Sequence, residues 1–311
     1  MVVYLLDGLG NQMFQYAFAL GLKRKYNLSA PIRFNLYRLN RKNSIRRYGL
    51  DAFSIENESV LSGLRAKFTD ARYYLRRSIF RKKYPEIGYT DFCHRANIYE
   101  GMYHGEVMVY DFFDFPKPRG NEIYIKGWFQ NQHYFENVRE ELQSSFRVSI
   151  PPSEDSKKEL DGILQSDSVA VHIRRGDYLN PRWSYLNLCD YEYYRAAMEK
   201  VADSVQNPVF YIFSNTKEDV LWIKENYDFS KYNVRYMAYD NPPYEDFRLM
   251  YSCRHFIISN STFSWWAQYM GSCPDKIVVA PSMWNKENQG AKDALYMDHW
   301  SLIDIGGEAN T

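Results

Sequence analysis

The sequence lacks the features that would carry a chain through a membrane or load it with metal. In 311 residues no apolar run approaches the ~20 residues that span a bilayer. The opening run Val2–Leu6 has no basic residues ahead of it and is cut short by Asp7, so it does not read as a signal peptide. Cysteine is scarce. Cys93, Cys189, Cys253 and Cys273 form no Cys-x-x-Cys pair, and no His/Cys cluster has zinc-ligand spacing. The four read as reduced, packing thiols of an intracellular chain. No two aspartates are separated by a single residue, so the usual carboxylate clamp for a metal–nucleotide complex is missing. Gly8 and Gly10 are followed by no third glycine of a dinucleotide fingerprint, which argues against NAD. There is no internal repeat and no low-complexity tract. Net charge is also nearly absent, at +1, which gives no footing for nucleic-acid binding.

What is present is apolar and aromatic. Hydrophobic residues make up 45% of the chain and aromatics 17%, with 28 Tyr and 7 Trp. Aromatic faces stack on sugars and bases, although half-buried packing accounts for most tyrosines. Charge is unevenly spread. Between Lys23 and Lys83 there are 17 Lys and Arg against 4 Asp and Glu. Such a stretch suits an anionic membrane surface or acceptor, and equally a solvated face balanced elsewhere.

Short apolar runs alternate with helical patterns, which predicts an α/β chain with parallel sheets. Val2–Leu6 reads as a strand, Gly8–Leu9–Gly10 as a glycine turn, and residues 11–26 as a helix with Met13, Ala17, Leu20 and Leu22 on one face. Residues 27–120 are irregular, with helix expected near 58–80. Ile123–Trp128 reads as a strand and His133–Phe146 as a helix. The paired prolines of Pro151–Asp155 read as a linker. They divide the chain into residues 1–155 and 156–311. Beyond them the pattern is regular. Strands are expected at Ser168–Ile173, Val209–Phe213, Val234–Tyr239, His255–Ser259 and Ile277–Ala280. Helices are expected from the Asp190 cap to about Val205, at Tyr244–Cys253, and at Thr262–Met270, where Gly271 stops the last.

Two motifs sit where open α/β sheets place ligands, at the carboxyl ends of strands. In Val171–Tyr178, the adjacent Arg174 and Arg175 match phosphate oxygens, with Gly176 turning the chain and Asp177 beside them. An ion pair from either arginine to Asp177 satisfies the same pattern. Strand alternation puts His172 and Arg174 on one face and Val169, Val171 and Ile173 on the packing face, leaving Arg175 at the rim. In Ile258–Trp266, a strand gives way to Asn260, Ser261 and Thr262 at the start of a helix, whose free amides and dipole favour an anion. Plain N-capping by Ser261 or Thr262 explains that motif equally when it is taken alone. Asp246 lies in the first turn of its helix, where it also suits the dipole.

Taken together, Gly8–Ala17, His172–Tyr178 and Asn260–Trp266 resemble the three signatures of bacterial α-1,2-fucosyltransferases, glycosyltransferase family 11, in order and spacing over nearly the whole chain. The His-x-Arg-Arg core is also similar to that of core α-1,6-fucosyltransferases and protein O-fucosyltransferases. The resemblance implies a GT-B-type α/β fold, two Rossmann-like lobes facing a cleft, with an acceptor-side first lobe. It implies inverting transfer of L-fucose from GDP-β-L-fucose, without metal or other cofactor, to a galactose hydroxyl. The expected linkage is α-1,2, and the acceptor a glycan or lipid-linked oligosaccharide. A cytoplasmic location is expected, and the basic stretch leaves peripheral contact at the inner membrane face open beside a plain solvated surface. Arg174 is then the pyrophosphate ligand. His172 and Asp246 hold guanine, Ser261 and Thr262 hold phosphate, and Asn260 and Phe263 belong to the same nucleotide-sugar site. Gly10 and Asn11 face the reaction centre, Asn11 as a catalytic residue, and Gly8, Gly10 and Arg175 count among the nucleotide-sugar-binding residues. The α-1,6 enzymes' base has no counterpart in Leu179–Trp183. Asp177 is the favoured base, with Asp7 and Asp190 as alternatives. Transfer with another regiochemistry or nucleotide sugar, or non-catalytic glycan binding, remains open on the same residues.

Overall fold

The computed structural model describes residues 1–40, 46–55, 59–86, 94–101, 117–286 and 294–305; for Gly101, Asp177, Arg182 and Trp183 it describes the backbone alone. Cys93 lies outside the described residues. The chain divides into two compact units, Met1–Arg147 and Val148–Thr311. The paired prolines, at 151 and 152, therefore fall inside the second unit, just ahead of a helix capped by Ser153.

The first unit runs β1 (Val2–Tyr4), α1 (Leu9–Lys25), β2 (Arg33–Asn35), β3 (Ser59–Leu61), α2 (Gly63–Lys83), β4 (Ile98–Gly101), β5 (Tyr124–Gly127) and α3 (Arg139–Ser145). Its strands form a parallel sheet in the order β3-β2-β1-β5-β4. From β1 the chain moves outward to β2 and β3, then returns on the other side of β1. The switch point thus lies between β1 and β5, where such sheets bind ligands. Helix α1 is buried almost all round from Leu9 to Leu22, so it has no single apolar stripe. Gly21 is required there, because a Cβ at that position would strike the Tyr134 carbonyl. The helix expected at His133–Phe146 is broken. Residues 132–138 form tight 3-10 turns with a non-helical Phe135, and α3 begins only at Arg139. Packing overrides helical periodicity here: Phe135 stands beside Phe14 at 5.9 Å, and Tyr134 beside Phe18 at 5.4 Å. Short β2 and β4 emerge from the stretch that had no readable period.

The second unit runs α4 (Glu154–Leu164), β6 (Ser168–His172), α5 (Tyr191–Ala202), β7 (Val209–Phe213), α6 (Lys217–Asn226), β8 (Asn233–Tyr236), α7 (Pro243–Tyr251), β9 (His255–Ile257), α8 (Thr262–Met270), β10 (Val278–Pro281) and β11 (Ser301–Ile303). The parallel order is β11-β10-β9-β6-β7-β8. Its switch point lies between β6 and β9. All five residues of β6 are buried, as a central parallel strand requires. Val169, Val171 and Ile173 pack with Tyr193, Tyr194 and Ala197 of α5 in one core cluster. The caps are local and legible. Asp190 accepts from the Tyr193 amide at 3.0 Å, Thr216 from that of Asp219 at 3.1 Å, and Ser261 from that of Phe263 at 3.3 Å.

Candidate active site

The second unit gathers most of the predicted residues at its switch point. His172 ends β6, and its Nδ1 lies 3.0 Å from the Ser259 hydroxyl just beyond β9. The imidazole is buried, and that burial, with the Arg174 charge adding to it, holds its pKa down to about 3. His172 is therefore neutral and acts as a hydrogen-bonding group, not a charge. Its ring lies 5.7 Å from that of Phe263, which in turn meets Phe247 of α7 at 5.6 Å. Two tyrosines of α5 pin the strand ends. The Tyr194 hydroxyl donates to the His172 carbonyl at 3.2 Å, and that of Tyr193 donates to the Ile258 carbonyl at 2.5 Å.

The two arginines diverge. The Arg174 guanidinium lies 5.1 Å from the Tyr178 ring centre, and the Tyr178 hydroxyl donates to the Asn260 carbonyl at 3.1 Å. The Arg175 guanidinium lies over Trp222 of α6, 3.3 Å from the ring centre, and its Nε is 3.5 Å from Asp219. The backbone amide of Arg175 donates to Asn215 at 3.0 Å. Gly176 turns the chain with φ +49°, and a Cβ there would press into the Asn215 side chain. The carboxylate expected to brace Arg175 was Asp177, whose side chain lies outside the description; the carboxylate seen beside it is Asp219.

Asn260 is committed to architecture. Its amide donates to the Leu186 and Trp284 carbonyls at 2.9 and 3.0 Å, while its Oδ1 stands 3.7 Å from the Cys189 sulfur. Ser261 caps α8, and half-buried Thr262 opens it. Trp265 and Trp266 of the same motif are core residues. Asp246 is half-buried in the first turn of α7 and accepts from Asn241 Nδ2 at 2.9 Å. Burial raises its pKa to about 7, with Glu245 adding and the Asn241 bond opposing. Asp190 is spent on its cap.

In the first unit, the predicted glycine turn takes another form. Leu9 and Gly10 are already helical, and Gly8 has an ordinary φ of −73°. The left-handed residue is Asp7, at φ +60°. It needs holding, since a non-glycine residue there costs about 1–3 kcal/mol. Gln12 holds it, donating to the Asp7 carbonyl at 2.9 Å and to that of Arg47 at 2.8 Å, while accepting from the Gly49 amide at 3.1 Å. Gln15 clasps Leu6 in the same way. The exposed Asp7 carboxylate accepts from the Trp128 indole, and Asn11 accepts from Gln130 at 2.7 Å. Trp128 and Gln130 follow β5, so these pairs bridge the β1/β5 switch point. Phe129 between them is left-handed too, at φ +50°. Sequence reasoning missed Gln12, Gln15, Asn215, Asp219 and Trp222. Only Thr216, followed by two acids, hinted at the α6 start that carries the last two.

Among the described residues no cluster of three His, Cys, Asp or Glu could hold a metal ion. Over 89% of this chain and 69% of the other, the fold matches the structure of an Arabidopsis thaliana FUT1 mutant in complex with GDP, with a TM-score of 0.50 at 12% identity. The chain shares with that structure an α/β fold of the GT-B type, two units each built on a parallel sheet. Residues 1–304 match the family model Glycosyl transferase family 11, and the chain belongs to that family. It is 30% identical over 291 residues to an Escherichia coli protein named alpha-1,2-colitosyltransferase, covering 91% of this chain and 92% of that one. It is 32% identical over 149 residues to galactoside alpha-(1,2)-fucosyltransferase 1 of Saimiri boliviensis boliviensis, covering 44% of this chain and 40% of that one.

Proposed function

We propose that the chain moves L-fucose from GDP-β-L-fucose, with inversion, to O2 of a galactose-terminated glycan or lipid-linked oligosaccharide. The observation that carries this reading is Arg174 stacked on Tyr178, which bonds Asn260 just ahead of α8 at the β6/β9 switch point, beside a buried, neutral His172. The α-1,2 linkage is supported by the names of both relatives, and the galactoside acceptor and fucose by the second. As the anomeric carbon becomes oxocarbenium-like, negative charge grows on the β-phosphate. A fixed guanidinium and helix amides aimed at that charge stabilise the transition state more than the ground state. With no Asp-x-Asp clamp in the sequence, these groups take the place of a divalent ion. The Asp246 carboxylate suits the N1–H and amino group of guanine. Asp177 is the proposed base for the acceptor hydroxyl. Asp7, exposed at the other switch point, is the second candidate, and a base contributes roughly 10²–10⁴-fold. Single-turnover transfer from GDP-fucose to lactose in EDTA tests the reading. Full activity is expected, and activity that appears only with Mg²⁺ or Mn²⁺ contradicts the metal-free mechanism.

A second donor follows from the more similar relative's name. Colitose is L-fucose without its 3-hydroxyl. Competition between GDP-fucose and GDP-colitose decides between them. A preference for the deoxy sugar would assign GDP-colitose as donor and leave the linkage unchanged.

A further inference from the structure

Helix α2 carries apolar residues on the face that a core helix keeps polar. Its buried residues are few: Ala66, Asp70 and Tyr73. On the opposite side Leu64, Phe68, Leu75 and Ile79 are 71%, 67%, 62% and 52% exposed. At 3.6 residues per turn these four fall within an arc of about 60°, roughly opposite Tyr73. Single exposed leucines are ordinary, but a continuous stripe along a 21-residue helix marks an interaction surface. The remaining composition says what kind. Eight of the 21 residues are Lys or Arg, and the one acid, Asp70, is turned inward. Arg65, Arg72 and Arg76 flank the stripe on one side and Lys67 and Arg81 on the other, while Lys82 and Lys83 close the helix. Arg72 and Arg76 also pair with Glu122, just ahead of β5, and on the inward side Arg77 pairs with Glu100 of β4.

We propose that this face of α2 docks on an anionic phospholipid bilayer. The helix lies flat, Leu64, Phe68, Leu75 and Ile79 enter the boundary between headgroups and acyl chains, and the flanking Lys and Arg meet lipid phosphates. An apolar stripe bordered by cations is the pattern of an interfacial helix. Each Lys or Arg near such a surface strengthens binding by roughly fivefold. The helix does not cross the membrane: among the described residues no helix is long and apolar enough to do so. A protein partner would need an acidic rim around an apolar groove, whereas an anionic bilayer offers both along the whole helix.

The test is co-sedimentation of the full chain with vesicles of phosphatidylcholine containing phosphatidylglycerol, against vesicles of phosphatidylcholine alone. The variants are Phe68→Glu, Leu75→Glu and, as a matched control, Leu164→Glu, which alters a leucine 65% exposed on α4. Wild type and Leu164→Glu should bind the anionic vesicles, less as salt rises. Each α2 variant should bind roughly tenfold or more weakly. Melting curves and transfer to a soluble acceptor should match wild type in all three. No binding by wild type at low salt, or equal binding by all variants, overturns the proposal. So does equal binding to pure phosphatidylcholine. Vesicle-independent self-association that Leu75→Glu abolishes would assign the face to a second copy of the chain instead. Transfer is read separately, so a failure here leaves the donor reading standing.

Discussion

At the end of β1, beside β5, the amino-terminal unit presents a carboxylate, two amides and an indole, from Asp7, Asn11, Gln130 and Trp128. At the end of β6, beside β9, the carboxy-terminal unit presents guanidinium groups, a neutral imidazole and the start of a helix. Both units are built on a parallel sheet, and both sets stand at its switch point. What differs is the charge. The second set suits an anion, and the first suits neutral hydroxyls. The fold supplies the position, and the side chains at the strand ends supply the ligand class. The two sites also cost stability differently. The first holds Asp7 and Phe129 in left-handed backbone. The second buries polar groups, His172 and Asn260 among them, and must satisfy each one.

The comparison breaks most easily at the arginines. A point-charge ammonium does not replace a guanidinium fork, and charge-assisted hydrogen bonds are worth about 1.5–3 kcal/mol each. Arg174→Lys should therefore weaken GDP roughly tenfold or more and slow transfer steeply. Arg175→Lys should leave GDP affinity nearly unchanged and lower the melting temperature, since its partners are Trp222 and Asp219. Calorimetric titration of GDP into both variants checks this, and exchanged phenotypes would exchange the two roles.

Asn260→Ala removes the bonds to the Leu186 and Trp284 carbonyls. Leaving buried carbonyls unmet should cost about 1–3 kcal/mol, read as a fall in denaturation midpoint at unchanged slope.

Asp246 sharpens the comparison through pH. With its pKa at about 7, the carboxylate proposed to hold guanine is lost as pH falls. GDP affinity should drop about tenfold per unit below that point, and Asp246→Asn should abolish the dependence. Folding has the opposite sign. Because burial raises the folded-state pKa, the stability linked to this group is present below the ordinary carboxylate range. It is lost as pH rises through about 7. Calorimetry across pH 5–8 reads the first effect and thermal melts read the second.

The smallest effect belongs to the first unit. Asp7→Gly relieves a left-handed aspartate and should stabilise the chain by about 1 kcal/mol, with GDP affinity untouched. Weakened GDP binding in this variant would erase the distinction between the units.

The second unit was the more legible in sequence, for a physical reason. Its strands are continuous apolar runs bounded by caps, and Ser168–His172, Val209–Phe213 and Thr262–Met270 stand where their patterns put them. In the first unit β2 is three residues long and leaves no period to read. Helix α1 stands where Met13, Ala17, Leu20 and Leu22 place it, but its burial runs almost all round and not along one face. The same holds within the sites. His172 and Arg174 follow from strand parity. The packing of Arg175 on Trp222 depends on α6, which lies more than 40 residues further along the chain and whose approach no local pattern encodes. The amide clasps of Gln12 and Gln15 sit inside a helix and look like ordinary helical residues until the loop above them is in place.

Hydrogen exchange with and without GDP tests the division of labour most directly. The account predicts protection at residues 172–178, around Asp246 and at 259–263, with the β1 and β5 ends unchanged by nucleotide alone. Protection confined to residues before Arg147 would contradict it.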